Sequence, residues 1–229
     1  MKINNIDISA YGAKQWNFSY EHSNIQNESA WAAGAAVPYL AKNNIGFSSF
    51  TVTLMMKAAE GREEIRRACS NILSLLLGPA VLELDGFETK FKAILQGHTE
   101  TERALRQYHL LQLTFLGYEY GNDVTSSGTG EVTIANPGNI TSPVYLTIVP
   151  SFNGDILIAG FPDPIEIADC TAGKTVIIDG KTGLVMEGHT PKIANVDMWT
   201  LPELPPGESQ IICSDDNAVI TVTVTPLYM

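Results

Sequence analysis

Basic residues all but vanish in the second half of this sequence. Residues 131–229 hold no arginine and three lysines against twelve acids, a net charge of −9, whereas residues 1–130 hold eleven basic and thirteen acidic residues, a net −2. Nucleic-acid binding rests on cations that neutralise phosphates, so the total of −11 argues against that class. The same deficit argues against docking on an anionic membrane surface. Cysteine is scarce too. Cys69, Cys170 and Cys213 form no CxxC motif, and an odd count leaves one unpaired in any disulfide scheme. Three buried thiols in a reducing compartment are expected. No apolar run is long enough to cross a bilayer: the longest, residues 72–84, is interrupted by Gly78-Pro79 and contains Glu83. No apolar h-region follows Met1-Lys2-Ile3-Asn4-Asn5, so no signal peptide is expected and synthesis in a cytoplasm is. What is present is an ordinary apolar fraction, 45% of 229 residues, enough for one large core or two small ones.

Motifs for catalysis are equally sparse. His22, His98, His109 and His189 show no HExxH or paired spacing, no GxSxG elbow exists, and no cysteine sits in a nucleophile signature. Nothing in the spacing of the 25 acids selects a pair placed to flank a glycosidic bond. No catalytic residue, cofactor or metal ligand is therefore assigned, and the chain is read as a non-enzyme. One near-miss is Ala168-Asp169-Cys170-Thr171-Ala172-Gly173-Lys174-Thr175, a P-loop with alanine in place of its first glycine. A P-loop must open a helix, whose first amides hold the phosphate. Here Val176-Ile177-Ile178-Asp179-Gly180 follows, which reads as a strand entering a turn.

The periodicity is mostly that of strands. Trp16, Phe18 and Tyr20 alternate with polar neighbours, as do Phe50, Val52, Leu54 and Met56. Between residues 62 and 77 the period changes: Ile65, Ala68, Cys69, Ile72 and Leu76 recur at helical spacing, so one amphipathic helix is expected there, stopped by Gly78 and Pro79. Residues 80–84 and 87–95 flank Asp85-Gly86, a two-residue hairpin signal. Residues 108–118 form a further β-rich run. Residues 122–130, Asn-Asp-Val-Thr-Ser-Ser-Gly-Thr-Gly, have the composition of a flexible linker. The expected organisation is thus a β-rich domain with one helix at 1–121, a linker at 122–130, and an antiparallel β-sandwich at 131–229. The sandwich strands are expected at residues 131–135, 144–149, 156–158, 175–179, 183–187, 208–213 and 218–225.

Three tryptophans remain. Trp16 is expected on an apolar strand face and Trp199 as a cap on the sandwich core, with Trp31 in core or interface. The competing reading makes Trp199 a sugar-stacking platform, and Trp199 with Tyr145 are the candidate glycan contacts.

Several segments together carry a resemblance. In the first half they are Glu28-Ser29-Ala30-Trp31, Phe50-Thr51-Val52-Thr53 leading to Arg62-Glu63-Glu64-Ile65, Leu82-Glu83-Leu84-Asp85-Gly86-Phe87 and Phe115-Leu116-Gly117-Tyr118-Glu119-Tyr120. In the second half they are Asn136-Pro137-Gly138-Asn139, Ser142-Pro143, the hairpin of Gly173-Lys174-Thr175 through Asp179-Gly180-Lys181-Thr182-Gly183, Val196-Asp197-Met198-Trp199 and Leu204-Pro205-Pro206-Gly207. With these, nearly the whole chain resembles the distal tail proteins of siphophage-type baseplates, prophages and tail-like bacteriocins. The resemblance implies a homohexameric ring formed by the N-terminal domain and a peripheral, galectin-like or carbohydrate-module-like C-terminal sandwich. It also implies a virion tail location, after synthesis in a host bacterial cytoplasm. The implied partners are further copies of the chain, the tail tube protein and the tail-tip or baseplate hub protein. A carbohydrate-binding module that recognises host surface glycan is the alternative.

Overall fold

The structure is a computed structural model that describes residues 1–23, 25–34, 36–37, 39–57, 61–102 and 108–229. It divides into two compact units, Met1–Glu119 with Met229, and Tyr120–Tyr228.

The first unit is a sheet covered by one helix. The strands run in the spatial order Ile6–Asp7, Lys2–Ile3, Ala80–Glu83, Lys90–Glu102, Tyr108–Tyr120, Ser48–Lys57, Ala13–Glu21. The alternation in Ser48–Lys57 sends Phe50, Val52, Leu54 and Met56 inward, where Leu111, Leu113 and Phe115 of the neighbouring strand join them. Helix Arg62–Ser74 adds Ile65, Cys69 and Ile72 to the same core, and Leu76 follows just beyond its end. The helix stops three residues short of its expected end. The amides of Leu75 and Leu76 turn back to the carbonyls of Ile72 and Leu73, three residues behind, and this tightening tucks Leu76 inward and leaves Leu77 in solvent.

Two further expectations in this unit are corrected. Asp85-Gly86 is part of a longer loop between Ala80–Glu83 and Lys90–Glu102, whose pairing begins at Glu83 opposite Lys90. Phe87 leaves the ladder because its ring packs on Phe18 at 5.0 Å and Phe91 at 5.7 Å. Trp16 is not on the apolar face. Gln15 pairs with Leu54 and Asn17 with Thr53, so Trp16 is the extra residue of a β-bulge and is 62% exposed.

A separate hairpin, Ile25–Ala30 with Tyr39–Ile45, forms a sheet of its own, pairing Ile25 with Ile45.

The second unit is a two-sheet sandwich. One sheet runs Val124–Thr129, Val219–Val224, Ser142–Val149, Val176–Asp179, Val185–Glu187, Thr190–Pro191, and Glu203–Leu204 also pairs with Ser142–Val149. The other runs Glu131–Asn136, Gly207–Cys213, Gly154–Ala159, Ile165–Cys170, Val196–Asp197. Their inner faces meet in one core that includes Val144, Leu146, Ile148, Ile158, Ile167, Ile178, Ile211 and Val222. The segment read as a linker, 122–130, is instead built into this unit: Val124–Thr129 pairs with Val219–Val224 along its whole length. Its serines, threonines and glycine are edge-strand residues, half-buried and exposed in alternation. The strand Ile165–Cys170 was missing from the sequence reading. Polar Glu166 and Asp169 flank its buried Ile165, Ile167 and Cys170.

Candidate functional site

The two most specific sequence motifs prove to be structural joints of the sandwich. Asn136 is 2% exposed; its Oδ1 accepts from the Gly138 amide at 2.9 Å and its Nδ2 donates to the Leu204 carbonyl at 3.0 Å. The Asn139 amide then reaches the Leu227 carbonyl at 3.1 Å, so this one turn ties down two distant segments. In the hairpin, the Asp179 carboxylate accepts from the Lys181 amide at 2.8 Å and the Thr182 hydroxyl at 2.7 Å. Burial alone would raise this carboxyl. The hydrogen bonds from Thr182 and the two backbone amides outweigh it and hold the pKa below the ordinary carboxylate value. Gly180 is required by close approach, since a Cβ there would collide with the Pro202 and Val144 carbonyl oxygens.

The P-loop look-alike has no free cradle. The Thr171 amide donates to Glu187 Oε1 at 2.8 Å, the Ala172 amide to Asn153 Oδ1 at 2.8 Å, and the Gly173 and Lys174 amides to backbone carbonyls. Strand Val176–Asp179 follows, with no helix to aim amides at a phosphate. Glu187 is also held by Lys192 Nζ at 3.1 Å, and both side chains are largely buried, at 13% and 7% exposure. Burial would raise the Glu187 carboxyl; the bonds from Thr171 and Lys192 reverse the sign and keep its pKa below the ordinary value.

The cysteines are buried and unpaired. Burial, then the Glu100 carboxylate, pushes the Cys69 thiol up to about 11, and burial does the same for Cys170. A thiol kept neutral at pH 7 is not a nucleophile.

The aromatic candidates sit at the surface. Trp199 is 90% exposed in the loop after Val196–Asp197, so it does not cap the sandwich core; further along the same stretch Pro202 and Leu204 are the buried residues. Tyr145 lies on the outer face of Ser142–Val149, opposite Asp179 and Thr223, in the other sheet. Trp199 stands in the connection that leads from Val196–Asp197 to Glu203–Leu204, a strand that pairs with Tyr145's own strand. A shallow cavity of about 240 Å³ opens on the five-stranded sheet, lined by Asp155, Leu157, Glu166, Ala168, Asp197 and neighbours, and neither Trp199 nor Tyr145 lines it. Acids predominate among its polar groups, in keeping with the charge of this half.

A further group of exposed apolar residues lies on and beside the two-stranded hairpin of the first unit. Ile25 and Ile45, paired across it, are exposed, as are Trp31 and Val37 in the connection and Phe47 just after the second strand. In the sequence, Glu28-Ser29-Ala30-Trp31 touches this surface, whereas Ile25, Val37, Ile45 and Phe47 belong to no motif.

No protein-family profile matches the sequence, and no curated protein matches it either. The architecture nevertheless has solved counterparts: a mainly β, two-unit chain with one helix on its first sheet has the fold of a phage tail hub protein. The Dit protein of phage SPP1, described as a paradigm of the hub adsorption apparatus in phages infecting Gram-positive bacteria, matches with a TM-score of 0.79. That match covers 99% of this chain and 98% of that one at 12% identity. Chains of the phage P2 baseplate in its activated conformation, with calcium and with strontium, match at a TM-score of 0.49 and 12% identity, over 95% of this chain and 92% of those.

Proposed function

We propose that the chain is a structural protein of a phage tail or tail-like particle. In this reading it is a homohexameric ring hub that joins the distal end of the tail tube to the tail-tip or baseplate protein, and it has no enzymatic role. The observation that carries this reading is a fold match to a phage hub protein that runs the length of both chains, helix and sandwich included. The charge division supports it. A ring brings identical surfaces together around an axis, and like charges there repel, so the nearly neutral first half suits the ring and the strongly acidic second half suits its periphery. The exposed hairpin supplies apolar surface for the contact between subunits. An isolated two-stranded hairpin is marginal in water, and its apolar side chains gain most when a neighbour covers them.

Negative-stain images of the purified chain test this directly. Six-fold rings, with a mass near six times 24.8 kDa by light scattering, are the expected outcome. A monomer at all accessible concentrations, unchanged by the tail tube and tip proteins, overturns the reading.

A second reading rests on Trp199, whose ring stands almost wholly in solvent on the sandwich unit. A glycan array that shows retention lost in Trp199→Ala would favour a carbohydrate-binding role for that unit.

A further inference from the structure

The geometry points to a binding site for a zinc-type divalent cation in the first unit, formed by Cys69, Glu100 and His109 between the helix and the sheet. Three elements bring these residues together. Cys69 comes from helix Arg62–Ser74, Glu100 from strand Lys90–Glu102, and His109 from the neighbouring strand Tyr108–Tyr120. One ligand atom from each, a thiol sulfur, a carboxylate oxygen and an imidazole nitrogen, lies within 4.8 Å of the other two. The His109 Nε2 to Glu100 Oε2 edge is already 3.2 Å. A tetrahedral zinc ion, with nitrogen or oxygen at about 2.0–2.2 Å and sulfur at about 2.3 Å, needs ligand–ligand edges of about 3.4–3.8 Å. Small side-chain rotations therefore complete the set.

The surroundings fit a resident ion. The Cys69 sulfur donates to Met56 Sδ at 3.4 Å, and Met56 is the register partner of His109 in the adjoining strand, so a soft thioether walls the inner side. Exposure is graded. Cys69 is 2% exposed, and the His109 and Glu100 side chains are 15% and 40% exposed, which gives an inner anchor and an opening through which an ion and its fourth ligand, water, enter. One thiolate, one imidazole and one carboxylate suit zinc, whereas calcium and magnesium take all-oxygen shells. On binding, the Cys69 Sγ–H bond breaks, its proton leaves to solvent, and a sulfur–metal bond forms. His109 changes tautomer through solvent, its proton moving from Nε2 to Nδ1, and Nε2 and the Glu100 carboxylate then exchange their mutual hydrogen bond for one metal bond each. The ion then cross-links the helix to two strands, so its binding energy adds to the stability of this unit.

Cobalt(II) is the probe, added to the untagged chain. One equivalent is expected to produce a thiolate-to-cobalt charge-transfer band with tetrahedral d–d bands, which excess zinc erases, and zinc alone is expected to raise the melting temperature. Glu100→Gln and His109→Gln, on the solvent side, keep the fold and weaken cobalt binding by at least about 100-fold. Cys69→Ala removes the charge-transfer band. The absence of any cobalt band from the wild-type chain overturns the assignment. So does a band that survives Cys69→Ala, or zinc stabilisation undiminished in both surface variants.

Discussion

Lys192 is the one buried lysine of the three in residues 131–229, and its position shows what a rare cation does in an acidic half. Its ammonium donates to Glu187 Oε2 at 3.1 Å and to the Asp169 carbonyl at 2.9 Å. It thereby neutralises a carboxylate that the Thr171 amide also holds. Lys192→Ala would leave Glu187 charged and without its cation, at a cost of about 3–5 kcal/mol. Urea unfolding should show that loss, and the double variant Lys192→Met, Glu187→Gln should regain much of it. A midpoint unmoved by Lys192→Ala would mean the pair is solvated and weak. None of this was legible in the sequence, where Glu187 and Lys192 are five residues apart in a turn-rich stretch with no period. The tryptophans failed for a related reason. Alternation assigns Trp16 to the apolar face only if the strand is regular, and the bulge between Gln15 and Asn17 is a property of the pairing, invisible in one strand read alone. Trp199 was placed by its apolar character, yet the loop around it turns it to solvent.

At the scale of elements, the sequence spoke clearly where burial is one-sided and continuous. Strand Ser48–Lys57 and helix Arg62–Ser74 each bury one face, and each showed its period. The strand Val124–Thr129 did not, because an edge strand on a sandwich pairs on one side only and can be made of serine, threonine and glycine. The same glycines that suggested a linker have a defined task. Gly130 has φ of 72° where the chain leaves one sheet for the other. Its amide donates to the Ala218 carbonyl at 2.9 Å and its carbonyl accepts from the Cys213 amide at 2.8 Å. A Cβ there would stand 2.6 Å from the Asp216 carbonyl oxygen. Gly130→Val therefore combines left-handed strain of about 1–2 kcal/mol with a clash against backbone. The expected result is a destabilisation of more than about 2 kcal/mol, read from thermal or urea melts. A flexible linker would tolerate the change, so an unaltered melt would restore the linker reading.

At the scale of the whole molecule, the two halves differ in how their surfaces are finished. Both units leave large apolar side chains in solvent, the sandwich at scattered positions such as Leu157, Leu184 and Val219, whereas the first unit places Ile25, Val37, Ile45 and Phe47 on and beside one hairpin. A ring built from heterologous contacts needs such a patch on one subunit and a matching surface on the next. If the hairpin is the contact, Val37→Asp with Phe47→Asp should leave the circular dichroism spectrum and melting of the separate subunit intact, because neither side chain lies in the core. The same variant should shift light scattering and electron micrographs from rings to single subunits, since two desolvated charges at every junction disfavour closure. Substituting two exposed sandwich positions of similar size, Leu157→Asp and Val219→Asp, should leave rings intact. Rings that survive the hairpin variant and fail with the sandwich variant would exchange the roles of the two units, and would make the acidic half the one that assembles.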